Sequence, residues 1–334
     1  MTMAEPVLKW AGGKRQLLHE IDKQLPAALK NGEIRRYWEP FFGGGAVFFH
    51  IKERYGDFIE EYWISDFNWD LFVLYRVIQS HVGALIKELK VLADEYLPLP
   101  PTQQGDKEGE RISMFYRIRD EYNEAHWDEV RYRKDGKTNS TGFVKSWVRR
   151  AALTVFLNRT TYNGLYRVNS KGEFNSPHGR YDNPDIVQES NLRQVNKALK
   201  GVNIRVGSYS KWLKEMDDST FVYFDPPYRP LSDSASFKDY HKAPFGDKEQ
   251  RVLAQHCREL DARGVKWMLS NSDPKNTDPT DEFFDELYSE FNITRVEANR
   301  NINSDGKKRK KITEILVRNY EVKGCLQKKL FSEY

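Results

Sequence analysis

The sequence predicts an α/β fold in which a mostly parallel sheet is flanked by helices and interrupted by a largely helical insertion. Three observations carry this. Short apolar runs alternate with helical periodicity at both ends of the chain. Helical patterns alone dominate a middle stretch of about 70–187. Glycine- or proline-marked turns follow two strand candidates, where open α/β sheets bind ligands. The 334 residues suffice for one large domain carrying such an insertion.

Taken in order, residues 14–29 have helical spacing. A strand at Arg36–Glu39 meets the turn Phe41-Phe42-Gly43-Gly44-Gly45, and a helix follows with Val47, Phe48 and Ile51 on one side. A second strand over residues 61–65 ends at Asp66. Leu71, Leu74, Val77, Ile78, Leu85 and Leu89 mark a helix over 68–95, which Leu97-Pro98-Leu99-Pro100-Pro101 stops. Helical patterns recur at 110–127 and 141–157. A segment rich in Gly, Asn, Tyr and Arg then runs from 158 to 181, and its Ser170-Lys171-Gly172 predicts a hairpin turn. The α/β rhythm returns with strands at 202–206, 220–224, 265–270, 291–296 and 312–318, and helices at 186–199 and 247–263.

The charge is uneven. Within 131–180, eleven Lys and Arg residues oppose only Asp135 and Glu173, giving +9. Within 300–311, six oppose Asp305, giving +5. The net charge is +4, so the rest of the chain carries −10. Clustered positive charge on an acidic body predicts a polyanion-binding face. No apolar run is long enough to span a membrane, and the N-terminus lacks the pattern of a secretory signal. Cys257 and Cys325 cannot form a disulfide framework or a zinc cluster, so no metal is expected and both read as buried thiols. A cytoplasmic location is expected.

Three features at strand ends carry chemistry. Glycines after the first strand let the backbone approach a ligand closely. Asp66, about twenty residues on at the end of the next strand, can hold the two hydroxyls of a ribose. The glycines do not make a dinucleotide fingerprint, because the spacing fails at Phe48. Gly13-Lys14 is not a P-loop, because Arg15 follows. The third feature is Asp225-Pro226-Pro227-Tyr228 after an apolar strand. Its prolines stiffen the turn and aim the Asp225 carboxylate and the Pro226 carbonyl at one point beside the flat Tyr228 ring. Two acceptors and an aromatic face suit a planar group with an exocyclic amine.

These motifs together resemble the DNA adenine methyltransferase (Dam) family, the D12 class of N6 adenine-specific enzymes. The resemblance covers Lys9-Trp10-Ala11-Gly12-Gly13-Lys14, Glu39-Pro40-Phe41, Ser65-Asp66-Phe67-Asn68 and Asp225-Pro226-Pro227-Tyr228. It extends through Asn158-Arg159-Thr160-Thr161-Tyr162-Asn163-Gly164-Leu165-Tyr166-Arg167, Gly172-Glu173-Phe174-Asn175 and Gly179-Arg180-Tyr181. It continues at Leu269-Ser270-Asn271-Ser272 and Arg300-Asn301-Ile302-Asn303-Ser304. The motif order matches as well. It implies a Rossmann-like S-adenosylmethionine-dependent catalytic domain (1–69 and 188–334) and an inserted target-recognition domain (70–187) made of a helical bundle and a β-hairpin. The stretch 97–109 matches no family motif.

The resemblance implies S-adenosylmethionine as methyl donor and adenine in double-stranded DNA as acceptor, within GATC. Trp10, Gly12, Gly13, Lys14, Phe41, Gly43, Gly45, Asp66, Tyr209 and Asp225 would line the cofactor pocket. Asp225, Pro226 and Tyr228 would act on a flipped-out adenine. Tyr162 and Leu165 would wedge into or pack on bases, Arg167 and Lys9 would reach base edges, and Asn163, Pro177, Arg300 and Asn301 would also contact the DNA. Arg159, Arg180 and the lysines of 307–311 would meet the backbone, which positions without specifying. The protein would act as a monomer, with a restriction endonuclease as a candidate companion. Two other readings compete. One is a DNA-binding regulator with an impaired catalytic site, which the acidic residues at 66 and 225 argue against. The other is an amine methyltransferase acting on RNA. A nicotinamide oxidoreductase fits the glycine spacing worse than either.

Overall fold

A computed structural model describes residues 3–103, 108–124, 142–229, 245–298 and 312–322. The basic residues of 131–137 and 300–311, Asn301 and Cys325 lie outside the described residues.

One seven-stranded sheet organises the chain. Its strands are β1 (Arg36–Glu39), β2 (Glu61–Asp66), β3 (Asn203–Val206), β4 (Thr220–Phe224), β5 (Lys266–Ser272), β6 (Asn292–Ala298) and β7 (Ile312–Arg318). The spatial order is β3-β2-β1-β4-β5-β7-β6. Strands β1 to β5 pair in parallel, and β7 inserts antiparallel between β5 and β6. The α/β expectation and its mostly parallel sheet therefore hold. The chain reverses its direction of winding between β1 and β4, so their C-terminal ends open onto a crevice.

Side-chain alternation sends each central strand into two cores. Tyr37, Phe221, Tyr223, Met268 and Leu316 face one core. Trp38, Val222, Phe224, Trp267, Leu269, Ile315 and Val317 face the other. The second is covered by α8 (Asp247–Ala262), through Leu253, Ala254, Cys257 and Leu260, and by α9 (Phe283–Leu287). The first is covered by α1 (Leu18–Gln24), α2 (Ala27–Lys30) and α3 (Ala46–Tyr55). It runs without a break into α4 (Trp69–Tyr96), α5 (Glu110–Asn123), α6 (Gly142–Thr160) and α7 (Glu189–Ala198). The inserted helices thus share the sheet's own core.

Local chemistry explains the boundaries. Asn68 caps α4, its Oδ1 accepting from the amides of Asp70 at 2.8 Å and Leu71 at 3.3 Å. The cap lies two residues after Asp66 and its amide donates to that carboxylate at 2.8 Å, so the end of β2 and the start of α4 form one corner. The expected 14–29 helix is instead a 3₁₀ turn (Lys14–Leu17) followed by α1 and α2. The break is at Leu25, which is extended because Pro26 follows it. The expected hairpin turn at Ser170-Lys171-Gly172 forms: Val168 and Phe174 make an antiparallel bridge around it, the Asn169 amide donates to the Glu173 carbonyl and the Asn175 amide to the Arg167 carbonyl, and a further bridge joins Thr161 to His178. Asn169 organises its turn by accepting from the amides of Lys171 and Glu173. The segment after α4 is tied down by buried Arg111, which donates to the carbonyls of Leu97, Leu99 and Asp182 at 2.6–2.8 Å.

The basic cluster needs a correction. Arg150 is 3% exposed. Its guanidinium donates to Asp70 at 2.7 Å, while Tyr166 donates to the other oxygen of that carboxylate at 2.9 Å. Arg149 binds Glu121 and Glu88 at 2.6–2.8 Å. These two charges weld α4, α5 and α6 together and do not belong to a polyanion-binding face. Cys257 is buried, as expected. Among the described residues, no helix is long and apolar enough to cross a membrane.

Candidate active site

A cavity of about 1560 Å³ opens over the C-terminal ends of β1, β2 and β4. Its floor is the turn after β1. Gly43 has φ +48°, and a Cβ there would stand 2.8 Å from the indole of Trp10, so only glycine allows both positive φ and this approach. The Gly43 amide donates to Asp66 Oδ2 at 2.9 Å, and the Asn68 amide donates to Oδ1 at 2.8 Å. The carboxylate is thereby fixed at the cavity wall. Phe41 lies 5.1 Å from Tyr209 and 5.7 Å from Phe245, giving an aromatic surface on the same side as Asp66. Trp10, Gly12, Gly13, Lys14, Phe41, Gly43, Gly45, Asp66, Tyr209 and Asp225 all line this one space.

The opposite end is built around Lys14. Its side chain is only 2% exposed, and Nζ lies 2.7 Å from Asp225 Oδ1 and 3.6 Å from Glu314 Oε2. The same ammonium donates to Tyr228 OH at 2.9 Å and to the Gly12 carbonyl at 2.8 Å. Ser270, from β5, donates to Asp225 Oδ1 at 3.1 Å. Burial alone would lower the Lys14 pKa, but Asp225, Tyr228 and Glu314 hold it well above its usual value. Burial pushes the Asp225 carboxyl up, against the opposing pull of Lys14. Burial likewise raises Glu314, with Lys14 opposing and Asp225 reinforcing. Glu39, buried behind the pair, is raised well above the carboxylate range by burial and accepts from Tyr37 OH at 2.7 Å.

A second surface adjoins the cavity. Tyr162 is 58% exposed, and Lys9, Asn163, Pro177 and Arg180 are exposed beside it. The Tyr162 amide donates to the Pro177 carbonyl at 3.0 Å, and Lys9 Nζ sits 4.9 Å from the Tyr181 ring centroid. Leu165 and Arg167 are half-buried. Arg167 is held by Asn175, donating to its Oδ1 at 2.8 Å and its carbonyl at 3.2 Å. Arg159 is half-buried and lines the cavity: it donates to the Asp185 carbonyl at 2.9 Å, and burial lowers its pKa.

A model of the D12 class N6 adenine-specific DNA methyltransferases matches residues 10–302. The chain belongs to this family. The Type II methyltransferase M.MjaIII of Methanocaldococcus jannaschii is 46% identical over 317 residues, covering 95% of this chain and 99% of that protein. The Type II methyltransferase M1.LlaDCHI of Lactococcus lactis subsp. cremoris is 35% identical, covering 94% and 95%. The DNA adenine methylase of Escherichia coli K12 is 32% identical, covering 92% and 93%. The protein is an adenine-specific DNA methyltransferase, and its family implies a methyl donor.

For this methyltransferase, motif reading missed Glu314, Ser270 and Glu39 as neighbours of the acceptor turn. Ser270 stood in a motif without a role. Glu314 carries no local signal, because only the antiparallel register of β7 against β5, with Glu314 opposite Ser272, brings it to Lys14. Lys14 was expected in the cofactor loop, and the structure places it equally against the acceptor turn.

Proposed function

We propose that the methyltransferase transfers a methyl group from S-adenosylmethionine to the N6 amine of adenine within GATC in double-stranded DNA, flipping the base out to reach it. The carrying observation is that the Asp66 carboxylate with its aromatic wall and the Asp225-Pro226-Pro227-Tyr228 turn face one continuous cavity. The donor set suits a nucleoside carrying a cationic sulfur: a fixed carboxylate for ribose hydroxyls, flat rings for a base, and glycines where a side chain would intrude. When bound, the donor supplies an electrophilic methyl group. Trp10, Gly12, Gly13, Phe41, Gly43, Gly45, Asp66 and Tyr209 hold it.

The chain does the rest by position. Tyr228 stacks on the flipped adenine, a contact worth roughly 1–3 kcal/mol. Asp225 and the Pro226 carbonyl accept the two amine N–H bonds. This localises the nitrogen lone pair toward the methyl group, and the fixed negative ends stabilise charge developing on nitrogen. In this reading 70–187 is the recognition module and 1–69 with 188–334 the catalytic one. Lys9 and Arg167 read base edges. Tyr162 and Leu165 wedge into or pack on bases. Arg180 meets phosphate, and Asn163, Pro177, Arg300 and Asn301 also contact the DNA. The enzyme works as a monomer, and the Type II names of two relatives suggest a companion endonuclease.

Plasmid DNA treated with the purified protein and S-adenosylmethionine tests the reading by mapping of N6-methyladenine. Modification confined to GATC is expected. Modification at another sequence refutes the target, and none at all refutes the donor. Asp225→Ala is expected to abolish transfer while donor binding persists. Full activity in that variant refutes the role of the turn.

A further inference from the structure

Asn158, in the last turn of α6, is 1% exposed. Its side chain spends its hydrogen-bonding capacity on main chain from two separate segments. Oδ1 accepts from the Lys9 amide at 2.8 Å, and Nδ2 donates to the Lys9 carbonyl at 2.9 Å and to the Gly164 carbonyl at 2.9 Å. The first two bonds imitate a strand bridge to residue 9. The third reaches the loop that bears Tyr162 and Leu165.

Contact between those segments is close. Gly164 has φ +66°, and a Cβ there would meet the Lys9 side chain at 2.5 Å. The lysine stem therefore lies directly on the glycine. Beyond it, Lys9 Nζ stands over the Tyr181 ring, whose OH accepts from the Asn163 amide at 2.9 Å. On the other side Trp10 packs on Tyr166 at 5.2 Å. A lysine from the N-terminal segment is thus registered against the recognition loop by one buried amide.

We propose that Asn158 is a positioning residue for sequence discrimination, fixing Lys9 and the 161–165 loop as a single reading surface. The proposal rests on the assignment of Lys9 to base reading made above. Asn158 touches neither base nor donor, so its loss acts on the choice of sequence and spares the transfer step. A buried amide of this kind has a large effect, because its removal leaves three main-chain groups without a partner.

The test compares kcat/KM on the mapped target duplex with kcat/KM on duplexes altered at one base pair. Lys9→Ala, Asn158→Ala, Asn158→Asp, Asn158→Ser and the Lys9→Ala/Asn158→Ala double variant are compared, with donor binding without DNA and thermal unfolding measured alongside. Asn158→Ala is expected to lower discrimination about tenfold at the base pair that Lys9→Ala relaxes, with kcat on the target duplex within a few-fold of wild type. The double variant is expected to discriminate no worse than Lys9→Ala alone, the non-additivity of residues acting as a unit. Asn158→Asp keeps the shape and the acceptor but turns an oxygen toward the Lys9 and Gly164 carbonyls, so it is expected to discriminate no better than Asn158→Ala. Asn158→Ser, which keeps a small donor and acceptor, carries the test if Asn158→Ala does not fold. Unchanged discrimination in the Asn158 variants beside a relaxed Lys9→Ala overturns the inference, as does a loss of kcat/KM equal on every duplex. Unchanged discrimination in Lys9→Ala instead refutes the reading of Lys9 itself.

Discussion

Lys14 alters the electrostatics expected of the acceptor turn. Asp225 alone would present a negative charge to the amine, but an ammonium 2.7 Å away neutralises it as a pair. Such a pair gives a developing cation little stabilisation. Glu314, 3.6 Å from the same ammonium, restores one net negative charge to the group. Its Oε2 is buried, and both Lys14 and Tyr228 bear on its carboxylate. Glu314→Gln keeps the shape and removes that charge. Single-turnover methyl transfer should slow about ten- to a hundredfold, toward the lower end of what losing one preorganised electrostatic group costs. Affinity for the proposed donor should be little changed, because Glu314 does not line the cavity. The wild-type rate should also fall on acidification at a pH above the ordinary carboxylate range, since burial raises both Asp225 and Glu314 and both must be ionised. A Glu314→Gln enzyme with the wild-type rate and pH profile would show that the Glu314 charge plays no part in the transfer.

At the scale of elements, legibility followed locality. Strands Arg36–Glu39, Thr220–Phe224 and Ile312–Arg318 could be read to the residue, because apolar runs are bounded by turn chemistry on both sides. Helix α9 has five residues and too little length for a period, and the 14–29 helix hid its break behind one Leu-Pro step. The turn at Ser170-Lys171-Gly172 could be read from its residues, whereas the side chains that tie the 158–181 segment to the helices carry no local signal. His178 is one of them. It is 7% exposed, and its Nε2 lies 2.6 Å from the hydroxyl of Tyr96 at the end of α4. Burial, with Arg180 and Arg111 nearby, lowers its pKa to about 4. The folded state therefore keeps the ring neutral, while the unfolded chain takes up a proton near pH 6.5. Stability from this residue is full above the unfolded value. It is lost as pH falls toward the folded value, at about 1.4 kcal/mol per pH unit. Urea unfolding across that window should show the slope in wild type and a flatter one in His178→Gln. Equal slopes would mean the ring already titrates freely in the fold.

Across the whole molecule, the charge pattern divides into two kinds of cation that the sequence could not separate. A +9 segment and a +5 segment looked equivalent along the chain. In three dimensions Arg149 and Arg150 are structural, fixed to carboxylates of α4 and α5, while Lys9 and Arg180 stand exposed beside Tyr162. DNA affinity should then depend on salt through the exposed set and the 307–311 run, each phosphate contact contributing a slope of about −0.9 in log K against log salt. Replacing Lys307, Lys308, Lys310 and Lys311 by Gln should flatten that slope by about 0.9 for every lysine that meets a phosphate, with thermal stability nearly unchanged. Arg150→Gln should do the reverse. It strands the Asp70 carboxylate in the core at a cost of about 3–5 kcal/mol and leaves the slope of the folded fraction intact. Fluorescence titration of a labelled duplex over a salt series, paired with thermal unfolding, separates the two. A folded Arg150→Gln protein with a flattened slope would return that arginine to the DNA-binding face, and a lysine-run variant with the wild-type slope would remove 307–311 from it.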